Sequence, residues 1–345
     1  MLWAKKQSAF TIVELLIVVV VIAILAAITV VAYNGVTDKA KASAKASDIA
    51  SMKKQSEVYK VENNIECPPN YVFVYGNSAL GTTDFCVMKY EAKITGNDVG
   101  TTSYVGSMTA ESRASGTPWV SISQTQAIAE SIEAGGHLLT EAEWMTLAAD
   151  VLSVKYNWSG QEVGSGHVYQ GHINSNPANG IAASTDDTDT LNGMTGGKGT
   201  TVGTNSSRVF YLKSGDAIWD LSGNVWEWTQ QAIGTPTLSV SNIGVSGDTP
   251  GTWTWREYTL GSLSFGNMPA ISRPSVLNSV AGLTSLTWST DTGVGQLYAS
   301  YPDTAPRAFF RGGRWTNNIY AGILALGLSD VSSTGTINTG FRVAK

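Results

Sequence analysis

Cysteine is nearly absent from this chain of 345 residues, which carries only Cys67 and Cys86. Two cysteines exclude a multiply stapled miniature scaffold and any cysteine-built metal cluster. One pair in an exported domain reads as a single disulfide, and closing that loop would contribute roughly 3 kcal/mol. Two buried free thiols are the alternative. Histidine is almost as scarce: His137, His167 and His172 stand at no ligand spacing from a cysteine, so a zinc site is not expected. Charge is sparse too, at 14% of residues with a formal net charge of -5. No basic face is implied, and nucleic acid is not an expected partner. No repeat of roughly 20–50 residues recurs, which excludes a solenoid or propeller array.

Against that background one segment is conspicuous. Ile12 to Val31 reads IVELLIVVVVIAILAAITVV, long enough to cross a bilayer as a helix. Lys5 and Lys6 precede it and should hold the start on the cytoplasmic side. The run continues without a cleavage-like boundary into AYNGVTDKAKASAKASDIASMKKQSEVYKVEN, rich in good helix formers. A single helix from about Phe10 to Glu62 is expected, with a weak apolar stripe at Ile49, Met52 and Val58. Gly35 is its candidate kink or melting point. Glu14 contradicts a plain anchor, because a carboxylate inside an apolar run costs a few kcal/mol unless it has a partner.

The stretch KKQSAFTIVELLIVVVVIAILAA resembles the prepilin signature of type IV pilins and type II secretion pseudopilins. The resemblance implies that a prepilin peptidase cuts between Ala9 and Phe10, leaving an N-methylated Phe10. It also implies that Glu14 pairs with the terminal amine of a neighbouring pilin subunit during filament assembly. Ala9 departs from the family's usual glycine, so slower cleavage is expected. The implied partners are the membrane, the peptidase and other pilin subunits. The implied location is the cytoplasmic membrane first, then a surface pilus with the C-terminal domain outside. The expected parts are a leader at 1–9, an assembly helix at 10–65 and a soluble domain at 66–345.

After Glu66 the helical pattern stops. Short apolar alternations in YVFVYG, FCVMKYEAKI, SRVFYL, FRGGRW and GFRVAK read as strands between Gly, Asn and Ser turns. Two helices are expected. One starts at the capping box of Ser123 and Gln126 and ends at Gly135–Gly136. The other starts at that of Thr140 and Glu143 and runs to about Ala149. The fold class is therefore α+β. Stretches of about 160–206 and 234–286 read as long loops.

Four motifs, HLLTEAEWMTLA, WDLSGNVWEWT, FRGGRW and GFRVAK, together resemble the formylglycine-generating-enzyme or sulfatase-modifying-factor domain, a variant of the C-type lectin fold. In the catalytic members two cysteines after the double glycine bind copper. The matching positions here are Asn317 and Gly322, which supply no thiolate. A non-enzyme is therefore expected, with a membrane-tethered oxidoreductase and a structural major pilin as the alternatives.

Calcium is the one candidate cofactor. The family resemblance places it at Asn224 and Glu227, where a structural hydrogen-bonding role is the competing reading. The acidic run at Asp186, Asp187 and Asp189 is a calcium loop or a solvated turn. Trp226 and Trp228 read as core. Trp253, Trp255 and Trp288 read as sugar-stacking rings or as buried loop anchors.

The segment 311–345 resembles the variable region of proteins diversified by retroelements. An apolar string at Ala321, Ile323, Ala325, Leu326 and Leu328 is surrounded by exchangeable polar residues. Arg314, Thr316, Asn317, Asn318, Tyr320, Ser329, Asp330, Ser332 and Thr334 are the expected contacts to a surface ligand, protein or glycan.

Overall fold

The computed structural model describes residues 10–173, 181, 183–184, 207–233, 243–245, 248–249, 251–258, 262–277, 290–301, 303 and 305–345. Ala9, the acidic run 186–189 and Trp288 lie outside the described residues. The chain divides into two compact units, Met1–Ser51 and Met52–Lys345.

One helix, Ile12–Glu62, supplies most of the first unit and opens the second. Among the described residues it is the helix long and apolar enough to cross a membrane, with a window of mean hydropathy 3.4. The helix passes through Gly35 without interruption, so the expected melting point is not a break. A single glycine costs about 1 kcal/mol, and a long run of strong helix formers on both sides outweighs that. Within the second unit, Ser56 is buried and the Tyr59 hydroxyl donates to Asp84 Oδ2 at 2.9 Å. Val58, expected on the apolar stripe, faces outward at 51% exposure.

Two sheets organise the second unit. The smaller has the order Tyr71–Val74, Phe85–Met88, Val343–Ala344, His137–Leu138. It brings the C-terminal residues between the domain's first hairpin and the lead-in to a helix. The Cys67–Cys86 disulfide ties the segment just ahead of its first strand to its second strand. The larger sheet runs Thr254–Arg256, Leu297–Ala299, Gly322–Gly327, Phe309–Gly312, Trp226–Thr229, Thr339–Gly340. Its third strand is buried at every residue, as expected of an interior strand read as a continuous apolar run. The expected string at Ala321, Ile323, Ala325, Leu326 and Leu328 is core throughout.

Both short helices start where their capping boxes place them. Ser123 and Gln126 exchange side-chain and backbone bonds at the start of Gln124–Glu133, and Gly135 follows with φ +76°. Thr140 and Glu143 do the same for Glu141–Ser153. That helix runs four residues past Ala149, because Asp150, Val151 and Leu152 are all buried and tertiary packing extends it. The stretch read as a loop at 234–286 contains short strands. Ile243–Val245 pairs with Leu263–Phe265, and Thr254–Arg256 edges the large sheet. These three strands are short, and their cross-strand partners decide them. Of the other expected loop, residues 160–173 are turns and bridges, and Trp158 pairs with Val168.

Candidate functional site

One row of residues in register crosses the large sheet. Trp255 faces Tyr298, Tyr298 faces Gly327, Gly327 faces Phe310, and Phe310 faces Trp228. Residues paired in register share a face of the sheet, so the row is an aromatic surface interrupted at Gly327. A Cβ at Gly327 would collide with the Phe310 ring, so only glycine fits there. Trp226, two residues before Trp228, extends the surface. It lies parallel to Trp255 with centroids 6.0 Å apart and meets Phe310 edge-on at 5.0 Å.

Trp226, Trp255, Tyr298 and Phe310 line a cavity of about 360 Å³. Its polar walls come from three short segments. Arg314 and Asn317 follow the double glycine, Ser329 and Asp330 follow the central strand, and Thr336 and Asn338 lead into the last edge strand, which Thr339 begins. Gly313 makes the first wall possible. Its φ is +87°, and an added Cβ would meet Ala321. The Asn317 side-chain oxygen then accepts from the Arg314 backbone N–H at 2.8 Å, closing the turn.

The electrostatics of the walls follow from partial burial. Arg314 is pulled below its ordinary range by burial, against the opposing influence of Tyr298 and Asp330. Burial pushes the Asp330 carboxyl up, although Ser329 donates to it at 3.3 Å. Burial also raises the Tyr298 phenol.

Four of the nine expected ligand contacts, Arg314, Asn317, Ser329 and Asp330, line this cavity. Tyr320 lies beside it, stacked on Trp255 at 5.0 Å and 17°. Thr316 and Asn318 are exposed away from the lining, and Ser332 and Thr334 are half-buried outside it. Tyr298 and Phe310 are the aromatic liners that the sequence does not single out. Of the two readings of Trp255, buried anchor or sugar-stacking ring, the structure puts it on the cavity wall, with Trp226 beside it as both core and floor. The signal available was the W-T-W alternation at 253–255, which has the period of a strand.

Asn224 and Glu227, weighed for calcium or for a structural hydrogen-bonding role, are both held by hydrogen bonds in the interior. Asn224 Nδ2 donates to Glu91 Oε2 at 2.6 Å. Arg342 Nε donates to both Glu227 oxygens at 2.9 and 2.8 Å. The buried Lys93 ammonium adds a further positive charge, interacting with Glu91 and Asp220. These cations already compensate the carboxylates, so the donor set does not fit a divalent ion. Glu14, at the start of the long helix, accepts from the Thr11 N–H and hydroxyl, both at 2.8 Å. Phe10, the expected first residue after cleavage, is 85% exposed.

Comparisons with known proteins bear on the two parts of the chain separately. A profile described as the prokaryotic N-terminal methylation motif matches residues 4–30. Two solved structures that match are the Major Tropism Determinant P3c variant and U1 variant. Each is 14% identical over 81% of this chain and 52% of that chain, with TM-scores of 0.31 and 0.29. The chain thus spans about half the length of these solved chains. No curated protein matches. The profile of the sulfatase-modifying factor enzyme 1-like domain matches residues 86–345, the stretch that builds the whole of the large sheet and every wall of the cavity. Behind a pilin-type methylation motif, the chain belongs to the sulfatase-modifying factor enzyme 1-like family.

Proposed function

We propose that this chain is a minor or tip subunit of a type IV pilus-like filament, and that its C-terminal domain binds a ligand on another surface without catalysis. The cavity floored by Trp226, Trp255, Tyr298 and Phe310 is the observation that carries this reading. A partly apolar concavity with a few convergent polar groups is the usual form of a ligand site. The part before Phe10 is the leader, 10–65 is the membrane and assembly helix, and 66–345 is the displayed domain. After insertion in the cytoplasmic membrane, the helix packs against neighbouring pilins and carries the domain to the cell surface. The disulfide fits an oxidising, exported setting.

The absence of catalysis rests on chemistry. The positions of the copper thiolates are Asn317 and Gly322, and both cysteines are consumed in the disulfide. Asn317 instead shapes the cavity wall. The segment 311–345 is also suited to diversification. Its polar residues form the walls, while the buried strand Gly322–Gly327 keeps the backbone in place.

The test is made in cells. Glu14→Ala should leave the chain in the membrane and out of sheared filaments, because the helix loses its pairing carboxylate. Trp255→Ala should leave filament incorporation intact and abolish attachment to the surface that wild-type cells colonise. Normal incorporation of the first variant, or normal attachment by the second, would sink the corresponding half of the proposal.

A further inference from the structure

The cavity holds a cation that the protein does not satisfy. Among the described residues Arg314 makes no ion pair and no side-chain hydrogen bond, and its Nε is buried without a partner. Its guanidinium rests near the Trp315 ring, 5.8 Å from the centroid. Asp330, across the same cavity, influences it electrostatically but does not reach it as an ion pair. Elsewhere in the domain the contrast is plain. Arg208, Arg311 and Arg342 are fully buried, and each is tied to a carboxylate. A half-buried guanidinium with open donors is costly to leave unmade, and its fork geometry matches a carboxylate.

The remaining surfaces describe what bears that carboxylate. The floor is aromatic, with Phe310 edge-on to Trp226 and Trp255 parallel to both Trp226 and Tyr320, and the half-buried Trp255 leaves part of its ring for the apolar face of a ligand ring. The other polar liners, among them Asn317, Ser329, Thr336 and Asn338, are neutral donor–acceptor groups suited to hydroxyls and amides. A volume of about 360 Å³ accommodates one ring-sized group rather than a flat protein epitope. Asp330 can accept from ligand hydroxyls. We infer that the cavity takes a carboxylate-bearing sugar ring, of uronic-acid or sialic-acid chemistry, with its face on Trp255 and its carboxylate on Arg314. This rests on the reading of the cavity as the ligand site.

The full chain in detergent micelles is titrated by calorimetry with the methyl glycosides of glucuronic acid and of N-acetylneuraminic acid, and with methyl glucoside as the neutral control. At least one acidic glycoside should bind roughly tenfold more tightly than the control, and added salt should narrow that gap. Arg314→Gln should erase the preference, and Trp255→Ala should abolish binding of all three. Unchanged far-ultraviolet circular dichroism and a cooperative urea transition would establish that both variants are folded. Equal affinity for acidic and neutral glycosides, no binding of either acid, or a preference that survives Arg314→Gln overturns the inference. If the acids fail while Trp255→Ala still abolishes cell attachment, the cavity remains the ligand site and only the sugar chemistry falls. If attachment survives Trp255→Ala, the underlying reading falls as well.

Discussion

Arg311 and Arg342 belong to the two most legible motifs of the C-terminal segment, FRGGRW and GFRVAK, and neither faces the cavity. Arg311 Nη2 donates to Glu141 Oε2 at 2.6 Å and to the Ser272 carbonyl at 3.0 Å, with both ion-pair partners fully buried. It fastens a central strand to the first turn of the helix Glu141–Ser153. Arg342 fastens the C-terminal strand to Glu227 and donates to the Met88 and Lys89 carbonyls, at 3.1 Å each. Removing one member of such a pair strands its partner's charge in the interior. Arg311→Ala should therefore destabilise the domain by about 3–5 kcal/mol, measured by urea titration of tryptophan fluorescence. A loss below about 1 kcal/mol would mean that Glu141 finds water or another partner. The motif was readable as a sequence, but its role as a buried tie was not, since Arg311 and Glu141 lie 170 residues apart.

Among the secondary-structure elements, local chemistry carried furthest where a structure closes on itself. The capping boxes at Ser123 and Thr140 need only residues three apart, and both form as expected. Thr140 is partly a tertiary residue as well. Glu143, which completes its box, also meets His137 Nε2 at 2.8 Å. The side-chain bonds hold the Glu143 carboxyl below its usual range even though burial, the largest influence, acts to raise it. Thr140→Ala should cost about 1 kcal/mol, with an upper bound of about 2, read from the denaturation midpoint. No change at all would show that His137 alone anchors this helix start. Strands were legible where apolar residues cluster between turn residues, as in YVFVYG and also in the three-residue Val209–Tyr211 of SRVFYL. The fragments at 243–245, 254–256 and 263–265 exist because another strand pairs with them.

For the whole molecule, the second unit concentrates ionisable groups in its interior, and that makes its stability depend on pH. Burial pushes the Asp150 carboxyl up to about 6. Burial, and then the charge of Asp220, pushes Glu91 up to about 8. A carboxyl whose pKa is higher folded than unfolded keeps its proton in the native state after the unfolded chain has released it. Its contribution is fully present below the unfolded value and is lost as pH rises through the folded one. For these two groups the loss spans about pH 4 to about pH 8. Lys93, lowered to about 8 by burial, has the opposite slope, but only above that range. Glu143 opposes only below the ordinary carboxylate range. The domain should therefore melt several degrees higher at about pH 5 than at about pH 8, followed by tryptophan fluorescence. Glu91→Gln should flatten the difference. Equal melting temperatures in the wild-type protein would refute the assignment of these protons.

The sequence by itself determined the long N-terminal helix, the charge at Glu14, the two capped helices and the apolar string of the central strand. Each of these is a pattern of neighbours, set by helical or strand periodicity and by bonds a few residues long. Four cavity contacts in the C-terminal segment were legible as polar residues around that string. Only the tertiary structure decided that they surround a cavity, that Trp226, Trp255, Tyr298 and Phe310 floor it, and that Asn224 and Glu227 serve as hydrogen-bonding and ion-pairing groups. The floor is assembled by strand register between segments 17 to 82 residues apart, and burial decides which charges are tied and which, like Arg314, are left open.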